Sequence, residues 1–261
     1  MKTRSTLKNI VIVFIIGFCC FSCKKNEKRE ILLVENRYFD ILHDSLNEKL
    51  TLFADSNFIF SKTYKSANNE NIEHRKGTFY IKKDTIHFSR NILNDSESKK
   101  AIVKDGYLEI IDKEACYKIK VVRTELFNRT TYDNQRFKNY AIFSYCQARD
   151  SNVFVHGKQH ELNNKEIAQI DSLLSICMKQ NSRLKNSNNN DYIKQCIATK
   201  NTNNEVIVWL YCICHKSVFN FGDDFQRQIF GKVHDGGNCF FRLKINLTTQ
   251  TYFDLSINGD A

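Results

Sequence analysis

A histidine, an aspartate, two glycines and a cysteine lie within six positions at His234–Cys239, in the stretch HDGGNCFFRLKINL. A cysteine nucleophile needs a histidine within hydrogen-bond reach of its thiol and a third group that orients this histidine. Cys239 with His234 or His215, oriented by Asp235, has the residue types for that chemistry. Cys239 precedes a predicted strand, so no helix dipole would lower its pKa. A thiol-dependent enzyme is therefore the alternative hypothesis, and no catalytic residue is assigned.

The glycine pair within this stretch could form a concave anion site from backbone N–H groups. Phosphate loops of that kind continue into Lys-Ser or Lys-Thr and a helix, whereas Asp235-Gly236-Gly237 continues into Asn238 and an alternating apolar run. The pattern is typical of a tight turn that enters a strand.

Two further cysteines, Cys212 and Cys214, are two positions apart on a predicted strand, so their side chains share one face. Zinc sites need about four converging Cys or His ligands, and His215 would project from the opposite face. No metal site is predicted. We expect a disulfide between Cys239 and either Cys212 or Cys214.

The N-terminal segment has three cations, Lys2, Arg4 and Lys8, followed by an apolar run from Ile10 to about Phe21. This is a secretory signal, too short to span a membrane comfortably. Ser22-Cys23 at the end of the run resembles the signals of bacterial lipoproteins.

That resemblance implies a signal peptide at 1–22, cleaved before Cys23, which would then be acylated with palmitate and bind membrane lipid. The charged residues 23–35 would form a tether. The alternatives are an ordinary secretory signal or an uncleaved N-terminal anchor. A lipoprotein with this signal would lie in the bacterial cell envelope, and the outer membrane is the expected location.

Seven cysteines remain beyond the signal and the acylated position, and an exported location permits disulfides. An odd number leaves at least one thiol unpaired. Cys177 and Cys196 could form a second bridge or act as small buried hydrophobes. The seven are Cys116, Cys146, Cys177, Cys196, Cys212, Cys214 and Cys239.

The net charge is +10 for the whole chain and falls to +7 without residues 1–22. The lysines are scattered among Asp and Glu, with no zinc-finger spacing and no long basic helix. Behind an export signal this charge indicates a solvated surface, and nucleic acid is not an expected partner.

Short alternating runs over residues 36–125 predict an antiparallel β-meander that buries one face. Its clearest hairpin is centred on Asp105-Gly106, which suits a two-residue turn. A barrel would cover the apolar face, and the pattern resembles lipocalin-like modules.

Residues 136–261 predict a second, α+β domain. Strands are expected at 139–148 and at Asn152–Gly157, before a helix capped by Asn163 with Glu166 completing a capping box. Glu205–Cys214 is apolar on both faces and predicts a central strand. One helix followed by about four antiparallel strands is a cystatin-like order, with the helix on the inner face of the sheet.

The C-terminal run is similar to the ending of a group of bacterial lipoproteins with no assigned activity. The likeness covers about the last 70 residues and implies no chemistry. The matching positions are Trp209, Cys212, Cys214, Asp235–Cys239, Asn246–Thr248 and Asn258–Ala261.

These patterns favour a non-catalytic, membrane-anchored envelope lipoprotein that binds a protein, a glycan or an apolar ligand, with no cofactor. The thiol-dependent enzyme is its competitor, and a protease-inhibitor-like domain is suggested only by the cystatin-like order.

Acylation gives the first prediction. Cells grown with an alkyne-labelled palmitate should incorporate the label into the wild-type chain, and Cys23→Ser should lose both the label and membrane association. A wild-type chain that stays unlabelled would contradict the lipoprotein assignment.

Overall fold

The computed structural model describes residues 28–39, 45–66, 69–93, 99–111, 117–218, 224–231 and 233–259. The predicted signal peptide at 1–22, the acylation site Cys23 and Cys116 lie outside the described residues. No helix within the described ranges is long and apolar enough to cross a membrane.

The N-terminal half forms a closed antiparallel barrel in which each strand pairs with the next and the last strand pairs with the first. The first strand begins at Glu30, so residues 30–35, predicted as part of the tether, belong to the barrel. The strands are β1 (Glu30–Phe39), β2 (Ser45–Phe53), β3 (Asn57–Lys65), β4 (Glu70–Lys82), β5 (Thr85–Phe88), β6 (Lys100–Lys104), β7 (Tyr107–Ile110) and β8 (Tyr117–Thr124).

The alternation of buried and more exposed residues along the strands explains why they form a barrel. Leu32 and Val34 on β1 and Leu50 and Leu52 on β2 are fully buried, while their neighbours along each strand are more exposed. Side chains two apart on a strand share a face, so the apolar set fills the interior. The predicted hairpin at Asp105–Gly106 is present, with φ of 52° and 83° at the two turn residues.

The C-terminal half is a six-stranded sheet in the order β10, β11, β12, β13, β14, with β9 paired in parallel to β11. Its strands are β9 (Tyr140–Phe143), β10 (Lys158–Gln159), β11 (Tyr192–Lys200), β12 (Val206–Cys214), β13 (Phe240–Asn246) and β14 (Thr251–Ile257). The described α-helices are α1 (Gln147–Asp150), α2 (Asn164–Gln180), α3 (His215–Val218) and α4 (Asp224–Arg227).

Helix α2 has the predicted capping box. The Asn163 side chain accepts from the backbone N–H groups of Lys165 and Glu166, and the Glu166 carboxylate accepts from the Asn163 N–H. The helix packs its apolar face on one side of the sheet. The residues it buries there are Ile167, Ile170, Leu173, Leu174, Cys177 and Met178.

The strand expected at Asn152–Gly157 is wrong. The backbone N–H groups of Val153 and Phe154 both donate to the Asp150 carbonyl, which closes a turn after α1. The buried Asp150 carboxylate also accepts from the Cys146 N–H. These local bonds hold the segment in a turn, as Asp side chains often do.

A buried ionic cluster joins the barrel to the second sheet. It consists of Lys104, Glu109 and Lys118 on the outer face of β6, β7 and β8, together with Ser144 just after β9. The Lys104 ammonium lies 3.2 Å from the Glu109 carboxylate and donates to the Ser144 hydroxyl at 3.1 Å. Ser144 in turn donates to Glu109 through its N–H at 2.7 Å and its hydroxyl at 2.9 Å.

Lys118 completes this junction by donating to the Ile142 carbonyl of β9, with its ammonium 4.6 Å from the centre of the Phe143 ring. A further link comes from α4, where the Gln226 side chain accepts from the Tyr107 hydroxyl of β7. The barrel therefore contacts the second sheet through a satisfied polar network.

Glu109 is the most enclosed member of the cluster. Burial alone would raise the pKa of its carboxyl, but the Lys104 and Lys118 charges and the Ser144 hydrogen bonds outweigh burial and hold it at about 2. Because this pKa is lower in the folded chain than its ordinary value of 4.5, the ionised carboxylate stabilises the fold above pH 4.5.

Glu109→Gln should lower the free energy of unfolding by about 3–5 kcal/mol at pH 7, because the buried Lys104 and Lys118 ammonium groups lose the Glu109 charge. The difference from wild type should shrink as the pH falls from about 4.5 to 2. Denaturant unfolding at several pH values measures both effects, with the exposed Glu70→Gln on β4 as a control. A Glu109→Gln chain as stable as Glu70→Gln would contradict the account of the junction.

Candidate functional site

Cys214, at the end of β12, is joined to Cys239 by a disulfide, with 4.8 Å between the two Cα atoms. Of the two partners expected for Cys239, the structure therefore selects Cys214. A bridge that closes a loop across 25 positions stabilises the fold by about 3.5 kcal/mol in the chain-entropy picture.

The thiol-dependent enzyme lacks its nucleophile in this structure, because the Cys239 sulfur is bonded to Cys214. His215 follows on the first turn of α3 and His234 precedes the turn, and both are exposed. Among the described residues, no three His, Cys, Asp or Glu side chains converge as a metal site would require.

The turn from Asp235 to Cys239 has a structural reason for its composition. Gly236 adopts φ +85°, and a Cβ there would lie 2.7 Å from the Phe240 ring, so a larger residue is excluded. The Asn258 side chain donates to the carbonyls of Val233 and Asp235. The stretch therefore forms a braced turn into β13.

Three of the remaining thiols of the second domain are buried in the core. Cys177, Cys196 and Cys212 are unbonded, and Cys177 and Cys196 form no second bridge with each other. Burial raises the pKa of Cys177 to about 11 and also raises the pKa values of Cys196 and Cys212. These groups are protonated at neutral pH, so they are poor nucleophiles.

A polar groove lies beside the disulfide, at the end of the sheet where β11 begins and β12 ends. It consists of two cavities of about 470 and 370 Å³ that share Asn190 and His215. The larger cavity, called the lysine cavity below, is lined by Arg136, Phe137, Lys138, Asn139, Tyr140, Asp171, Asn190, Lys194 and His215. The smaller cavity, called the amide cavity, is lined by Asn186, Ser187, Asn190, Asp191, Tyr192, Cys214, His215, Lys216, Asn238 and Cys239.

Lys194 is the central charge of the lysine cavity. It lies on β11 between Tyr140 of β9 and Cys212 of β12, on the face that α2 covers, and its side chain is 2% exposed. Its ammonium lies 3.7 Å from the Asp171 carboxylate and 5.0 Å from the centre of the Tyr140 ring. It makes no hydrogen bond with any residue in the described ranges, and its side chain lines the lysine cavity.

Asp171 projects from α2 into the same cavity. One of its carboxylate oxygens, Oδ1, accepts from the Tyr140 hydroxyl at 2.6 Å and from the Asn189 amide at 2.8 Å. Within the described ranges its other oxygen, Oδ2, has no hydrogen-bond donor. Burial and the neighbouring Asp171 charge raise the pKa of the Tyr140 hydroxyl well above its ordinary value of 10.0, so Tyr140 stays a donor.

Two exposed cations, Arg136 and Lys138, lie at the rim of the lysine cavity. The Arg136 guanidinium lies 5.0 Å from the centre of the Phe137 ring, which holds it over an aromatic surface. With Lys194, the cavity lining carries three cations against the single carboxylate of Asp171. Its field therefore attracts anions.

Neither Lys194 nor Asp171 was among the candidate residues from the sequence. A signal was present for both. Lys194 shares one face of β11 with Tyr192 and Cys196, so it is a charge at a core position of a strand. Asp171 lies four positions after Ile167 and three before Leu174, so a carboxylate falls at the spacing of the apolar stripe of α2.

Peptide mapping tests the state of the cysteines. Alkylation of the native chain with iodoacetamide, followed by non-reducing digestion, should recover Cys214 linked to Cys239. Cys177, Cys196 and Cys212 should label only after denaturation, whereas the half-buried Cys146 should label in the native chain and serve as the internal control. Rapid native labelling of Cys239 would restore the enzyme hypothesis.

Comparisons with known proteins add little to this geometry. No protein-family model and no curated protein matches the sequence. One solved structure that is similar in part is described as a "putative lipoprotein from Shewanella oneidensis". It is 20% identical, with a TM-score of 0.26, and the match covers 39% of this chain and 96% of that chain. At this score the likeness carries no functional conclusion.

Proposed function

We propose that this protein is a non-catalytic binding module, anchored to the bacterial cell envelope through an acylated Cys23, which takes its ligand in the groove beside the Cys214–Cys239 disulfide. The N-terminal signal supports the envelope location, and the outer membrane is the proposed destination. The groove is proposed as the functional site because of one observation, the buried Lys194 ammonium that faces an open cavity.

The cost of burying this charge is the reason for assigning it a role. Removing an ammonium from water costs several kcal/mol unless close partners compensate. The Asp171 oxygen that pairs with Lys194 is 3.7 Å away and already accepts from Tyr140 and Asn189. An apolar residue would serve the core better, so a charge kept with unfilled donors is suited to recognition.

A binding role also agrees with the state of the thiols. The only described sulfur atoms that line the groove are those of Cys214 and Cys239, and they are bonded to each other. The bridge fixes the turn at Asn238 beside α3, and both segments line the amide cavity. It therefore supports a preformed wall for a ligand, which lowers the entropic cost of binding.

The two domains are also proposed to resemble known fold types. Sequential pairing of β1 to β8 supports a lipocalin-like interpretation of the barrel, and one helix followed by four antiparallel strands supports a cystatin-like order for the second domain. The parallel strand β9 lies outside that order. Because β9 supplies Tyr140 to the lysine cavity, the proposed site rests on this additional strand.

Photo-crosslinking in intact cells tests the proposed site. A benzoylphenylalanine in place of the exposed Lys216, which lines the amide cavity, should capture an adduct of defined mass in the native envelope. The same group in place of Tyr80, 60% exposed on the barrel surface, should not capture it. The same adduct at both positions, or none at Lys216, would contradict a ligand site in the groove.

A further inference from the structure

We infer that the groove binds an acidic sugar, a ligand whose carboxylate is accompanied by hydroxyl groups, with the carboxylate on Lys194 and a neighbouring hydroxyl on Asp171. This inference rests on the proposed function and names its ligand class.

The sign of the ligand charge follows from the lining of the lysine cavity. Lys194 at its base and Arg136 and Lys138 at its rim outnumber the one carboxylate, Asp171. A neutral ligand would add no negative charge to balance the three cations, which share the single Asp171 carboxylate. A ligand carboxylate would supply that charge and accept the ammonium hydrogen bonds that no described residue takes.

Asp171 restricts the ligand further. Its Oδ2 can accept a hydrogen bond, but it repels an anion that offers only oxygen acceptors. Sulfate placed on Lys194 would meet this carboxylate next to it, because the Lys194 ammonium and Asp171 Oδ1 are only 3.7 Å apart. A carboxylate with a hydroxyl nearby avoids the conflict, because the hydroxyl donates to Asp171.

The lining of the amide cavity is the reason for proposing a sugar as the ligand. It continues from the lysine cavity through Asn190 and His215 and is lined by Asn186, Ser187 and Asn238. Amide and hydroxyl side chains both donate and accept, which suits a surface of several hydroxyl groups. A second sugar unit would occupy this cavity, so a short acidic oligosaccharide should bind more tightly than a single unit.

Calorimetry on the purified full-length chain in detergent tests the ligand class with D-glucuronate, its neutral counterpart D-glucose, digalacturonate, sulfate and L-serine. Glucuronate should bind at least about tenfold more tightly than glucose, and digalacturonate more tightly than glucuronate. Sulfate and the zwitterion serine should bind weakly. Equal affinity for glucose and glucuronate, or tighter binding of sulfate or serine, would overturn the inference.

Variants connect any binding to the named residues. Lys194→Met should weaken glucuronate at least about tenfold, because the buried charge partner is lost, whereas Lys200→Met at the exposed end of the same strand should not. Asp171→Asn should weaken glucuronate and strengthen sulfate. Unchanged glucuronate affinity in Lys194→Met would overturn the assignment.

A surface variant distinguishes an effect on ligand binding from an effect on folding. The exposed Lys138→Ala cannot disturb the core and should still weaken glucuronate about two- to fivefold at low salt. An equal affinity for wild type and Lys138→Ala at low salt would contradict the charge argument. If glucuronate fails to bind while the crosslink at position 216 forms, the ligand class is wrong and the proposed function stands.

Discussion

The Glu109 carboxylate, enclosed between Lys104 and Lys118, is the constraint that the rest of the structure depends on. It accepts two hydrogen bonds from Ser144, and Lys118 donates to the Ile142 carbonyl, so the cluster holds the end of β9 against the barrel. Strand β9 in turn pairs with β11 and sets Tyr140 opposite Lys194. The geometry of the groove therefore follows in part from an ionic contact at the other end of β9.

The two sites that hold buried lysines differ in how many partners the ammonium group has. This difference distinguishes a structural site from a proposed binding site. At the junction, the Lys104 ammonium has both a carboxylate and a hydroxyl within hydrogen-bond distance. In the groove, the Lys194 ammonium has one carboxylate at 3.7 Å and an aromatic ring. A satisfied buried network rigidifies a fold, whereas an incompletely satisfied one is costly unless something else completes it. A bound carboxylate would complete the second site.

Local sequence signals predicted much of the fold and little of the site. The Asp105-Gly106 hairpin, the capping box at Asn163 and the central strand ending in Cys214 each follow from residues close together in the chain. The parallel pairing of β9 with β11 joins segments about 50 residues apart, and no local pattern specifies it. Lys194, Asp171 and Tyr140 come together only through that pairing. The local pattern instead indicated the dense polar stretch at His234–Cys239 as a candidate site, and this stretch is a braced turn.

The most direct test of the account observes the Lys194 ammonium itself. In the full-length chain labelled with ¹⁵N-lysine, the ammonium resonance of Lys194, assigned through Lys194→Met, should shift on titration with D-glucuronate and stay unchanged with D-glucose, while that of Lys200 stays unchanged with both. A Lys194 resonance that does not move while glucuronate saturates the protein would contradict the account.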